Sequence, residues 1–319
     1  MKRLLYVVHR YAPFPGGSEN YVRDMAEESV RRGHEVWVLT GEHKGNLNGV
    51  NVTSDGNILG TKFDLIIVHG GDVGVQDFVL NNASRIPSPI LFMLILPSNS
   101  YTYIDAKHHV KFIGCSTLED WEWAKTQKVE SKARKVIHGI DPKISVGVSG
   151  FKAKYNIKTP HMFVSSGGYW PNKAMKELVE VFNSVGRTDT TLVLTGYDNR
   201  NNLMPRESEF VKPLMIDDRN DMLSAVVDAD LYIMHSFKEG FGLVLLESML
   251  NKTPWAARDN AGARLMKDYG FTYSKDQQLA DYLKQFDFSN KQQQIDKAYD
   301  YVNQNHLIKN TVDDILGLI

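Results

Sequence analysis

The stretch Leu231-Tyr232-Ile233-Met234-His235-Ser236-Phe237-Lys238-Glu239-Gly240-Phe241-Gly242-Leu243-Val244-Leu245-Leu246-Glu247-Ser248-Met249 decides the reading of this chain. It opens as a short apolar strand, Leu231–His235, crosses a polar turn with two glycines, and continues as an apolar helix, Leu243–Met249. A strand feeding a helix through such a turn is the unit of a parallel α/β sheet, whose ligands bind beyond the carboxyl ends of the strands. Glu239 stands at that end. The free amides and dipole of the helix opened by Gly240, Phe241, Gly242 and Leu243 make a seat for phosphate. Glu247 lies inside the helix among apolar neighbours, where a carboxylate needs a partner. Ribose hydroxyls would supply one; a core Lys, Arg or backbone amide is the plain alternative.

Working outward, strand-length apolar runs alternate with helical stripes along the whole chain. Strands are expected at Leu4–Val8, Glu35–Thr40, Asp64–Val68, Ile90–Leu96, Val110–Cys115 and Lys135–Ile137, with Ser116 and Glu119 as a capping box before a helix. From Asp141 to Pro160 the period lapses, which reads as a linker. A second series follows, with strands at His161–Ser165, Thr191–Thr195, Leu231–His235 and Pro254–Ala257. The 319 residues exceed one compact core and suit two domains. The expected fold is α/β, two doubly wound Rossmann-like halves facing a central cleft: residues 1–142, residues 143–303, and a terminal helix, 304–319, packing back on the first.

Two further loops carry unusual residues. His9-Arg10-Tyr11-Ala12-Pro13-Phe14-Pro15-Gly16-Gly17-Ser18-Glu19 joins the first strand to the first helix, and paired glycines there let amides approach an anion. It is neither a dinucleotide fingerprint nor a P-loop. Ser165-Ser166-Gly167-Gly168-Tyr169-Trp170-Pro171-Asn172-Lys173 puts a lysine at a loop rim, where it could hold phosphate as a point charge. A positive-φ turn and a solvated lysine are the bland readings of the two.

In this order and spacing, the residues resemble the retaining glycosyltransferases of family 4, of GT-B fold. Pro15 to Glu19 with Gly33-His34-Glu35-Val36 looks like the family's opening segment. His138-Gly139-Ile140-Asp141 is similar to its Asn-Gly-Ile-Asp segment, and Glu239 to Glu247 to its two-glutamate motif. The resemblance implies that a sugar passes from a nucleotide-diphosphate donor to a glycan, lipid-linked or nucleic-acid hydroxyl with retention, and with neither metal nor cofactor. Glu239 would contact the donor sugar and Glu247 the ribose. Amides of Phe241, Gly242 and Leu243, together with Lys173, would hold the diphosphate, and Gly16 and Gly17 would approach it from the first domain. The sequence departs from the pattern twice. Gly168 stands where an arginine is usual, and Leu96-Pro97-Ser98-Asn99 where many members place a histidine. Arg10 and Arg264 are candidate replacements for the cation, and His69, in His69-Gly70-Gly71-Asp72, a candidate active-site neighbour.

The formal net charge is −1, so any charged partner surface must be local. Lys125, Lys128, Lys132, Arg134 and Lys135 form one basic stretch, and Lys107, His108, His109 and Lys111 another. Either is a solvated face or a contact for anionic lipid or nucleic-acid phosphates. Trp121 and Trp123 should pack one inward and one half-out. No apolar run reaches membrane-spanning length, and the single cysteine, Cys115, fits a reducing compartment. A cytoplasmic protein, soluble or peripheral at a membrane, is expected. The competing readings are a degenerate nucleotide-sugar-binding module without transferase activity, and another GT-B chemistry such as an epimerase or phosphorylase.

Overall fold

The computed structural model describes residues 1–70, 74–97, 101–289 and 292–319, the Tyr101 side chain excepted. The chain divides into two compact units, one of residues 1–140 with 306–319 and one of residues 141–305.

The first unit holds β1 (Arg3–Val7), α1 (Gly17–Arg31), β2 (Glu35–Leu39), β3 (Gly45–Leu47), β4 (Val50–Thr53), β5 (Leu65–His69), α2 (Gly74–Asn81), β6 (Ile90–Met93), α3 (Tyr101–His109), β7 (Phe112–Cys115), α4 (Leu118–Thr126) and β8 (Ala133–Lys135). The sheet order is β3-β4-β2-β1-β5-β6-β7-β8, and every pair but β3–β4 is parallel. The chain leaves β1 toward one edge and returns beside it as β5. The order therefore reverses between β1 and β5, and the loops after these strands flank the switch point where such sheets bind ligands. Buried runs such as Leu4–Val8 and Leu65–Val68 are apolar throughout, as strands covered on both faces must be. Cys115 ends β7 fully buried, and burial pushes its thiol up to about 12.

The second unit holds α5 (Pro142–Ser145), α6 (Phe151–Lys154), β9 (His161–Ser166), α7 (Met175–Val185), β10 (Thr190–Gly196), β11 (Val211–Met215), α8 (Arg219–Asp228), β12 (Leu231–Met234), α9 (Leu243–Leu250), β13 (Trp255–Arg258), α10 (Ala261–Leu265), β14 (Phe271–Tyr273), α11 (Asp276–Lys284) and α12 (Gln292–Asn305). Its all-parallel order, β11-β10-β9-β12-β13-β14, reverses between β9 and β12. The last helix, α13 (Ile308–Leu316), belongs to the first unit. There Arg32 pairs with Asp313 at 2.5 Å, and Thr311 Oγ1 donates to the Ile137 carbonyl at 2.7 Å.

Several expectations need correction. The expected linker, 141–160, is ordered within the second unit: Asp228 accepts from the Gly150 and Lys152 amides at 3.1 and 3.0 Å, and Asn251 donates to the Ser145 carbonyl at 2.7 Å. Side chain–backbone bonds order it without any apolar period. The capping box sits one residue later, on Thr117 and Asp120, because Asp120 folds back to take the Ser116 and Thr117 amides at 2.9 and 2.8 Å. The last strand of the first unit is Ala133–Lys135, two residues early, and β3, β4, β11 and β14 went unread.

Candidate functional site

Because the order of the second sheet reverses between β9 and β12, the two loops leaving these strands lie side by side. The Phe237 amide donates to the Asn172 carbonyl at 2.8 Å, tying them together. Lys173 Nζ then meets Glu239 Oε1 at 2.5 Å, with both side chains more than four-fifths buried. Two residues predicted from separate motifs thus form one ion pair at the sheet's carboxyl edge. The lysine stem lies over Gly167, whose φ is +139°; a Cβ there would stand 3.3 Å from Lys173 Cε.

Beyond Glu239 the backbone turns through Gly240 and Phe241 into Gly242, which caps α9 in the left-handed region at φ 81°. Gly242 has no side chain with which to satisfy the first amides of α9, so this helix end suits an anion. The turn is held from behind by Gly262 of α10, where any Cβ would overlap the Phe241 carbonyl oxygen.

Glu247 is 3% exposed, and the partner it has is Arg219, whose Nη2 donates to Oε1 at 2.7 Å. The plain alternative for this carboxylate, a core arginine, is therefore present. Arg219 was not legible in advance, since it lies 28 residues away and nothing in its own segment marks it.

Gly168 has a structural reason. A Cβ on it would stand 2.6 Å from Trp170 Cε2, so the indole occupies the space an arginine would need. Trp170 is held edge-on to Tyr197, ring centroids 5.6 Å apart, and bonds the Asp198 carboxylate. Arg264 is an exposed residue whose Nε donates to Asp259 Oδ1 at 2.7 Å. Val211 and Lys212 belong to strand β11, and Lys212 Nζ donates to the Tyr155 carbonyl.

In the first unit, Gly16 caps α1 and Gly17 begins it, but the helix end already carries an anion. The Glu19 carboxylate folds over Gly16 so closely that a Cβ there would overlap it. It accepts from Arg10 Nε at 3.0 Å and lies 3.3 Å from His9 Nε2. Burial raises its pKa, but the His9 bond, its own amide and the charges of His9 and Arg10 outweigh that and leave it lowered. Arg10 thus pairs with Glu19, and Gly16 lies under the same carboxylate. His69 ends β5 buried, its ring 5.2 Å from that of Tyr21, which stacks on His138 at 4.8 Å. Burial pushes His69 down to about 4, a neutral core imidazole. Leu96 stands exposed in the left-handed region. Gly71, Asp72, Ser98 and Asn99 lie outside the described residues.

The basic stretch is divided. Lys132 Nζ donates to the Lys107 and His108 carbonyls at the end of α3, and Arg134 to those of Ser131 and Ala133, so both serve the backbone. Lys125, Lys128 and Lys135 are exposed. Trp123 is buried and Trp121 39% exposed, one in and one half-out. Among the described residues no helix is long and apolar enough to cross a membrane.

Two Rossmann-like sheets, parallel except for the β3–β4 pair, each with its strand order reversing beside a ligand-type loop, make this a GT-B fold, and solved structures agree. The chain is similar to sucrose-phosphate synthase from Thermosynechococcus elongatus, with TM-score 0.80, 14% identity, and coverage of 100% of this chain and 98% of that one. HepE of Anabaena in complex with UDP and glucose gives 0.79 and 17%, over 100% and 99%. The catalytic domain of starch synthase IV from Arabidopsis thaliana, bound to ADP and acarbose, gives 0.75 and 12%, over 99% and 98%. Residues 160–286 match the family model described as glycosyl transferases group 1, a span that contains Lys173, Glu239 and Glu247. No curated protein sequence matches the chain.

Proposed function

We propose that this chain is a retaining, metal-independent glycosyltransferase that takes a sugar from a nucleotide-diphosphate donor. The observation that carries the reading is the Lys173–Glu239 pair beside the Gly242-capped end of α9. Cleaving a sugar–phosphate bond leaves positive charge on the sugar and negative charge on the departing diphosphate. A lysine and oriented amides stabilise the second, and preorganised groups of this kind supply the largest share of many rate enhancements. A carboxylate beside them suits the sugar's hydroxyls, and Glu247 the ribose. The HepE and starch synthase structures hold UDP and ADP, which supports a nucleotide sugar as the substrate. Acceptor hydroxyls would bind the first unit, with Lys125, Lys128 and Lys135 available to an anionic acceptor or surface. A cytoplasmic location belongs to the same reading.

Gly168, closed over by Trp170, and the uncharged Leu96 favour a second reading, a module that binds nucleotide sugars without turning them over. One experiment separates the two. Wild-type protein is melted with UDP-, GDP-, ADP- and CMP-sugars. A donor at a hundred times its Kd adds about 2.7 kcal/mol, which raises Tm by roughly 5 °C or more. One donor class should do this, with the shift lost in Glu247→Gln. Slow hydrolysis of that donor over hours, reduced ~100-fold or more in Glu239→Gln, supports the transferase. Binding with no hydrolysis at all supports the module, and no shift with any nucleotide sugar removes both.

A further inference from the structure

Arg219 is the first residue of α8, just after Asp218, whose carboxylate caps the helix through the Asn220 amide at 2.6 Å. Its guanidinium turns away from its own helix and is held at three points. Nε donates to the Ile144 carbonyl at 3.3 Å, and Nη2 donates both to Ser145 Oγ at 3.0 Å and to Glu247 Oε1 at 2.7 Å. The cation is 17% exposed and the carboxylate 4%. The helix that carries Glu247 is otherwise apolar, with Leu245, Leu246 and Met249 all buried. An ion pair in such surroundings adds little stability over an apolar pair of the same volume, because both charges must leave water. What the planar, rigid guanidinium does supply is direction.

We propose that Arg219 is a positioning residue for the donor's ribose: it fixes the Glu247 carboxylate through one oxygen and so presents the other to the ribose hydroxyls. The inference rests on the ribose role given to Glu247 above and adds the group that orients it. Lysine, a point charge on a flexible stem, fills this role only in part.

The test measures affinity for UDP and for 2′,3′-dideoxy-UDP by calorimetry, with the ADP and GDP pairs in parallel. Wild-type protein, Arg219→Lys and Arg219→Met are compared. Losing hydrogen bonds to an oriented carboxylate should cost wild-type protein about tenfold or more for the dideoxy nucleotide. That ratio should fall to about threefold or less in Arg219→Met, with Arg219→Lys between them. A merely structural arginine would weaken both nucleotides alike and leave the ratio where it was; that result in folded Arg219→Met overturns the proposal. Should Arg219→Met fail to fold because it buries an uncompensated carboxylate, Arg219→Lys decides, and an unchanged ratio there overturns the proposal as well. Wild-type binding of a nucleotide with no ribose discrimination sinks the ribose role and Arg219's with it, but spares the donor site. No wild-type binding to any of the three sinks both.

Discussion

Replacing Gly262 by alanine is expected to lower the stability of the second unit by about 3 kcal/mol or more and to abolish nucleotide binding. The new Cβ would overlap the Phe241 carbonyl oxygen, and what it meets is backbone rather than the movable end of a side chain. Neither partner can easily yield. Asn260 caps α10 through the Ala263 amide at 3.3 Å, the Phe241 ring is 4% exposed, and Gly242 beside it is already in the left-handed region. Relief requires α10 to lift away or the 240–243 turn to swing, and either moves the amides proposed to face the diphosphate. Urea unfolding and UDP calorimetry on Gly262→Ala measure both effects. Gly60→Ala, whose Cβ meets nothing within 4 Å, controls for alanine itself and should be near neutral. Wild-type stability in Gly262→Ala would show that α10 does not sit against Phe241.

The parts of the site legible in the sequence were those written in local chemistry. Glu239 and the Gly240–Gly242 turn stand between an apolar strand and an apolar helix, and Lys173 ends a glycine loop after another strand. Once each is placed at a carboxyl edge, the reversal of strand order between β9 and β12 brings them together. What escaped was set by packing between distant segments. Arg219 reaches Glu247 across 28 residues, and Gly262 matters only because Phe241 lies against it. Gly168 reads as a missing cation until Trp170 is seen above it. The unread strands are at or beside sheet edges, where the apolar pattern is weakest. β11 carries Pro213, tolerated because β11 is an edge strand, β14 has three residues, and β3 with β4 is a short asparagine-containing hairpin. Glu19 is a local feature the glycine pattern does not reveal: its carboxylate lies over Gly16 at the start of α1, three positions in.

The first unit should lose stability as pH falls from 7 to 5, and three buried histidines set the sign. Burial lowers His69 to about 4, puts His138 well below the ordinary imidazole value, and lowers His306, whose Nδ1 lies 2.7 Å from the His138 carbonyl oxygen. Each is depressed in the folded state, so the unfolded chain binds the extra protons. Their contribution is fully present above the unfolded pKa near 6.5 and is lost as pH falls toward the folded values. For His69 the loss between pH 7 and 5 is about 2 kcal/mol, and His138 and His306 add to it in the same direction. Glu19 lies near enough to favour a proton on His69, whereas His9 opposes it, and burial outweighs both. Glu19 itself, lowered below an ordinary glutamate, releases its contribution only in more acid solution, outside this window. Hydrogen exchange of amides in β5 and in residues 136–140, followed at pH 7, 6 and 5 after correction for intrinsic rates, reports the unit locally. Opening free energies should fall across that range, and His69→Gln should remove about 2 kcal/mol of the fall. A flat profile in wild-type protein would mean that these imidazoles bind protons as readily in the folded state as in the unfolded one, and an undiminished slope in His69→Gln that groups other than His69 set the pH dependence.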